Sequence, residues 1–142
     1  MPQTKTYNPK AVQLSFLGNI ASGYAEGTMI TATRNEDDFT AQAGTTGEVT
    51  RVANCNRTGT VTIRLKAASQ FNDVLSALRQ QDLLFGNALG PLFIKELNGT
   101  TLVSAAEAWI KRQPDMERGK EESVVEWTLE CADLDAFLGG LV

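Results

Sequence analysis

Thr60-Val61-Thr62-Ile63-Arg64-Leu65-Lys66 is the cleanest alternation in the chain. Val61, Ile63 and Leu65 face one way, and Thr60, Thr62, Arg64 and Lys66 face the other. A period of two is the mark of a strand with one face in a core and one in water. Asn54-Cys55-Asn56-Arg57-Thr58-Gly59 precedes it, and residues 48–53 come before that. Two strand-like runs around a turn-rich segment predict a hairpin.

Working outward, Val12, Leu14 and Phe16 alternate with Gln13 and Ser15, and residues 29–34 are rich in β-branched Ile30, Thr31 and Thr33. Residues 92–97 lead into Asn98-Gly99, a strong hairpin-turn signal, and a return strand runs from Thr100 to Ile110 or Lys111. Val125, Trp127, Leu129 and Cys131 alternate with Glu126, Thr128 and Glu130. One helix stands out over residues 69–81. Ser69 can cap it, Phe71, Val74, Leu75 and Leu78 form a stripe, and the stripe ends near Asp82. The apolar end, 132–142, reads as a short docked tail. About seven strands and one flanking α-helix predict a mainly β domain, a sandwich or barrel.

Two segments stay outside this pattern. Residues 1–10 are polar and read as an N-terminal arm. Residues 35–47 hold no period. They carry Asn35, Glu36, Asp37, Asp38 and then Phe39, and read as a long loop of the kind that meets a partner.

The chain has 142 residues, enough for one domain, with 42% hydrophobic and 21% charged residues. Lys and Arg number 13 against 17 Asp and Glu, a net charge of −4. A surface of that sign disfavours tight binding to nucleic acid over a basic face. Histidine is absent. That excludes Ser-His-Asp and Cys-His catalysis and His-ligated zinc. Cys55 and Cys131 read as reduced, inert thiols, with a single bridge as the alternative. No run approaches the ~18 apolar residues of a membrane span. The first ten residues lack a signal-peptide core, so the expectation is a protein folded in the cytoplasm with no membrane partner.

Each candidate site has a plainer reading. The run Glu36-Asp37-Asp38 lacks the alternate oxygens of a calcium loop and reads as a solvated or interface loop. Gly119-Lys120 suggests a phosphate loop, but Pro114 stands where the first Gly belongs and Glu121 where Ser or Thr belongs. Trp109 and Trp127 read as core residues. No catalytic, metal or cofactor-binding residue and no cofactor is expected.

The order of several short blocks is more telling. Tyr7-Asn8-Pro9-Lys10 is followed by Gly23-Tyr24-Ala25-Glu26-Gly27-Thr28 and Thr33-Arg34-Asn35-Glu36-Asp37-Asp38-Phe39-Thr40. Gly47-Glu48-Val49-Thr50-Arg51, Gly59-Thr60-Val61-Thr62 and Asn72-Asp73-Val74-Leu75-Ser76-Ala77-Leu78 come next. Leu97-Asn98-Gly99-Thr100, Ala108-Trp109-Ile110, Pro114-Asp115, Glu126-Trp127 and Cys131-Ala132-Asp133-Leu134 complete the series. In this order the chain resembles the tail tube proteins of contractile-tailed bacteriophages, a family of small phage structural proteins related in fold to the type VI secretion tube protein.

The resemblance implies a ring-forming domain, not an enzyme. Hexameric rings would stack into the inner tail tube, a homo-oligomer in the virion tail assembled in the bacterial host cytoplasm. Its partners would be tail sheath, baseplate and tail terminator proteins, with double-stranded DNA passing through without specific binding. Four strands from each of six subunits give a barrel of 24. At ~4.8 Å spacing and ~40° tilt its backbone diameter is ~48 Å, and the lumen ~38 Å. Tyr7, Asn8, Pro9, Lys10, Asn35, Glu36, Asp37, Asp38, Phe39 and Arg57 are the expected inter-subunit contacts. Thr60, Thr62, Arg64 and Lys66 are the candidate lumen-facing residues, with acidic neighbours expected to offset the two cations. The alternatives are another tube-fold virion part, such as a terminator or baseplate protein, a secretion-system tube, or a monomeric ligand-binding β-domain.

Overall fold

A computed structural model describes residues 4–141. A short 3₁₀ turn, Pro9–Ala11, leads into β1 (Val12–Phe16) and β2 (Asn19–Ile20). Then come β3 (Ile30–Arg34), β4 (Phe39–Ala43), β5 (Val49–Ala53), β6 (Gly59–Lys66) and α1 (Phe71–Phe85). The chain ends with β7 (Gly90–Glu96), β8 (Leu102–Arg112), β9 (Val124–Cys131) and β10 (Leu134–Phe137). The main sheet is antiparallel in the order β2-β1-β7-β8-β9-β6-β3, with β10 also on β8; β4 and β5 form a separate pair.

β6 behaves as its alternation demands. Val61, Ile63 and Leu65 are fully buried, opposite Leu129, Trp127 and Val125 of β9. Its other edge pairs with β3. The expected hairpin between 48–53 and 60–66 therefore does not form. Both edges of β6 are taken by strands whose apolar faces match its own, and β5 pairs with β4 instead.

The sheet turns a corner. β8 pairs with β10 and β9 in one unbroken register, Ala105↔Leu134 and Ala108↔Cys131. Between these pairs the buried positions change phase, from Val103 and Ala105 to Ala108 and Ile110. β7 slips register at the same level, between Gly90 and Leu92. A bend of this kind swings one strand from one layer into another. Layer one is β2-β1-β7, the first half of β8, and β10. Layer two is the second half of β8, then β9, β6 and β3. Leu14, Phe16, Leu92 and Leu134 from the first share one core with Val61, Ile63 and Leu129 from the second. Gly59 sits at the corner, where an added Cβ would collide with the Leu134 side chain.

The phase change corrects one expectation. Trp127 is in the core, but Trp109 lies beyond the bend, on the opposite face from Ala108 and Ile110, and is only half-buried. The helix also differs. It starts at Phe71, whose N–H donates to Ser69 Oγ at 3.3 Å, and continues past Asp82 to Phe85. Leu83 and Leu84 favour helix, and Gly86 ends it in the left-handed conformation (φ 66°), its N–H donating to the Asp82 carbonyl at 2.7 Å. β2 and β10 are strands that the sequence pattern leaves out. The docked tail is real: Thr100 N–H donates to the Gly140 carbonyl at 3.1 Å, and Gly99 bridges to Leu141.

Candidate functional site

Two features stand apart from the core. The first is the outward face of layer two, four strands wide. Its cross-strand rows read Thr33·Thr60·Glu130·Trp109 and Thr31·Thr62·Thr128·Arg112, with Arg64 opposite Glu126 beyond them. Thr60, Thr62, Arg64 and Lys66, the candidate lumen-facing residues, thus share one polar wall with β9 and β3. Sequence reasoning missed the contribution of Glu126, Thr128, Glu130, Thr31 and Thr33. The Glu-Thr-Glu alternation in β9 was the available signal.

The wall's cations have carboxylate neighbours. Arg64 Nε lies 3.9 Å from Glu126 Oε2, and Lys111 Nζ 3.5 Å from Glu130 Oε2. Arg112 shares a groove with Asp115, Glu117 and Glu126, and Lys66 shares one with Glu26, Glu121 and Glu122.

Both lateral edges of the wall are open among the described residues. β3 pairs only with β6. On the other side β7 makes its last pair with β8 at Gly90↔Ala108, so residues 109–112 carry no strand on that edge. An open edge offers unpaired N–H and C=O groups to another strand. β3 and β8 run in opposite directions across the four antiparallel strands. Joining the β8 edge of one copy to β3 of the next therefore continues the antiparallel pattern.

The second feature is the β4–β5 hairpin, exposed at every position of both strands. The expected loop over 35–47 is corrected here: its middle, Phe39–Ala43, is strand β4, invisible to a periodicity test because neither face is buried. Gly44 and Gly47 make the turn, with Gly47 at φ 89°. Phe39 is partnered within the hairpin, its ring 4.1 Å from the Arg51 guanidinium carbon.

The hairpin's root is tied to the body by polar contacts. Asn35 uses its whole amide: Nδ2 donates to Thr58 Oγ1 at 2.9 Å and Glu130 Oε1 at 3.2 Å, and Oδ1 accepts from Thr60 Oγ1 at 3.1 Å. Glu36 accepts from Asn54 Nδ2 at 2.8 Å, and Asp38 pairs with Arg34 at 3.0 Å. Arg57 pairs with Asp133 at 3.0 Å, and the Asp133 carboxylate raises the guanidinium pKa further. Asn35, Glu36, Asp38 and Arg57 thus spend polar atoms within their own chain. Asp37 is exposed with no partner among the described residues.

In the arm, residues 1–3 lie outside the described residues. Asn8 Oδ1 accepts from the Lys10 N–H at 3.0 Å, capping the turn that holds Pro9 and Lys10. Lys5 Nζ donates to the Leu141 carbonyl at 3.0 Å. Tyr7 is 57% exposed. Cys55 is exposed and Cys131 buried, both as free thiols; burial pushes Cys131 up to about 11. No cluster of metal-ligating side chains occurs among the described residues.

Comparison with known proteins fits this geometry. Residues 10–139 match the family model described as the bacteriophage PhiTE tail tube protein. The structural protein ORF10 of Pseudomonas phage KPP10 is 26% identical over 146 residues, 97% of this chain and 84% of that protein. Among solved structures, the sheath/tube terminator of the extracellular contractile injection system PVC superposes with a TM-score of 0.65 at 10% identity. That match covers 95% of this chain and 99% of the terminator. A chain of a native gene transfer agent virion reaches 0.59 at 14% identity, over 94% and 100% of the two chains. The tube-terminating cap of the anti-feeding prophage reaches 0.59 at 10% identity, over 96% and 94%. At these identities the likeness is one of fold.

Proposed function

The chain belongs to the bacteriophage PhiTE tail tube protein family, and on that premise we propose that six copies join edge to edge into rings, and that the rings stack into the inner tube of a phage tail. The observation that carries the reading is the polar wall: four strands wide, open at both edges, with edges of opposite direction. Six such walls joined β8 edge to β3 make the closed 24-stranded barrel, which removes every open edge of that layer.

The wall faces the lumen in this reading, and DNA passes along it during delivery into the host. A conduit must not hold its cargo. Thr hydroxyls and cations already set beside carboxylates leave few sites at which phosphates could displace counterions. Six copies together carry about −24, which adds a long-range repulsion. The β4–β5 hairpin reaches an adjacent ring. An isolated two-stranded hairpin is marginal in water, so Phe39, Val49 and Val52, exposed in the monomer, gain their cover there. Tyr7 and Asp37 complete the contacts between copies. Sheath, baseplate and terminator proteins meet the finished tube, in a virion assembled in the host cytoplasm.

Electron microscopy of the purified protein tests this. Stacked six-fold tubes are expected. Single rings that never stack would identify a terminator, and a monomer at high concentration would overturn the reading.

A further inference from the structure

The last turn of α1 lies beyond its own core. The helix buries Phe71 and Leu75 and half-buries Val74 and Leu78. Leu83, Leu84 and Phe85 then stand 69%, 76% and 73% exposed. This is a built turn, closed by the Gly86 cap. Fifteen residues at 1.5 Å make a rod of roughly 22 Å, whereas the two strand spacings from β6 to β8 come to about 10 Å. The helix starts beneath β6 and β9, where Asn72 Oδ1 accepts from Trp127 Nε1 at 2.9 Å. Five residues after Phe85, Gly90 pairs with Ala108, at the start of the open edge of β8. That short link keeps the last turn within reach of the open edge of residues 109–112.

The opposite edge of the same layer lacks cover. Ile30 and Ala32 of β3 stand opposite Ile63 and Val61, both fully buried, and so point to the core side. Yet Ile30 is only half-buried and Ala32 is exposed. Ile30 packs only partly against the edge of its own core, and Ala32 is left open.

We propose that Leu83, Leu84 and Phe85 of one copy pack beneath β3 of the next, against Ile30 and Ala32. This rests on the edge-to-edge reading above and adds the layer behind the seam. Where strands 109–112 and β3 join, the exposed last turn of one copy comes within reach of the uncovered apolar side chains of the other. The occupant is a second copy because the two unmet surfaces flank one seam. The contact is heterologous, a different patch on each copy, as a closed ring requires. One face of the contact is supplied by the helix alone, so the surface turn can be changed without touching the subunit core.

Two variants test the proposal. Leu84→Glu with Phe85→Glu should leave the monomer's far-UV circular dichroism and melting curve unchanged and lower ring formation at least tenfold. In a Cys55→Ser background, Ala32→Cys with Phe85→Cys should give disulfide-linked ladders up to six chains when rings are oxidised with diamide, while either cysteine alone gives none. Normal rings from the double Glu variant, or unlinked chains from oxidised double-Cys rings, would overturn the contact while leaving the tube reading intact. Failure of the unmodified protein to form rings would instead remove the tube reading and this inference with it.

Discussion

Arg64 and Glu126 stand opposite each other on β6 and β9, Nε and Oε2 3.9 Å apart on the outward face of the wall. In an exposed setting such a pair adds little to stability, about 0–1 kcal/mol. In the proposed tube its effect is on the field that passing DNA would meet. Glu126→Gln with Glu130→Gln should leave Arg64, Lys111 and Arg112 without these two carboxylates. Tubes of this variant should retain double-stranded DNA at low salt and release it as salt rises, because each phosphate contact releases counterions. Unmodified tubes should retain none under the same conditions. A filter-retention assay across a salt series reads both.

In the proposed tube the hairpin serves stacking and not folding. Replacing residues 40–52 by a short Gly-Ser link removes two strands that bury nothing in the monomer. The melting temperature should move by only a few degrees, and rings should form without stacking. Sedimentation and negative-stain images check this. The smaller change Phe39→Ala removes the ring beneath Arg51 and should cost the monomer ~0.5–1 kcal/mol, the usual worth of an exposed cation–π contact.

Much of layer two was legible because its two faces differ so sharply. Val61, Ile63 and Leu65 against Thr60, Thr62 and Arg64 can be satisfied only by a strand between a core and water. The hairpin was illegible for the converse reason. Thr40, Ala41 and Gln42 meet water on both faces, so nothing in their order has to alternate. Trp109 was misplaced because the bend at Ala106 and Glu107 reverses the phase of β8, and a bend between ordinary residues leaves no compositional mark. The end of α1 was misjudged because the apolar stripe stops at Leu78, while the helix is stopped only by Gly86. The intra-chain bonds of Asn35, Glu36 and Arg57 were not legible either, because pairing partners distant in sequence cannot be read from the sequence alone.

Asn72 anchors the helix to the wall through the Trp127 indole N–H. Asn72→Ala leaves that buried donor without its partner and should destabilise the subunit by about 1–3 kcal/mol. Trp127→Phe in the Asn72→Ala background removes the donor as well, so the two losses should not add. Urea denaturation of the double-mutant cycle measures the coupling.

Cys131 gives a pH signature. Its thiol is held neutral up to about 11 by burial first and by Glu130 second, against 9.0 for the free group. A raised thiol pKa means that the unfolded chain loses the proton before the folded one. The stability it contributes is whole below about pH 9 and falls between 9 and 11, by at most ~1.4 kcal/mol per pH unit. Cys131→Ala should flatten that part of the profile. At pH 8 a thiol-specific reagent should label the folded subunit once, at Cys55, and the denatured chain twice.

A cryo-electron microscopy reconstruction of the assembled protein at side-chain resolution decides whether the edge-to-edge seam exists. The expected result is a six-fold ring with 24 strands around the bore, residues 109–112 of each subunit hydrogen-bonded antiparallel to β3 of the next, and Thr62 and Arg64 facing the lumen. A bore lined by the β1 and β7 face, or a seam that leaves β3 unpaired, would contradict it.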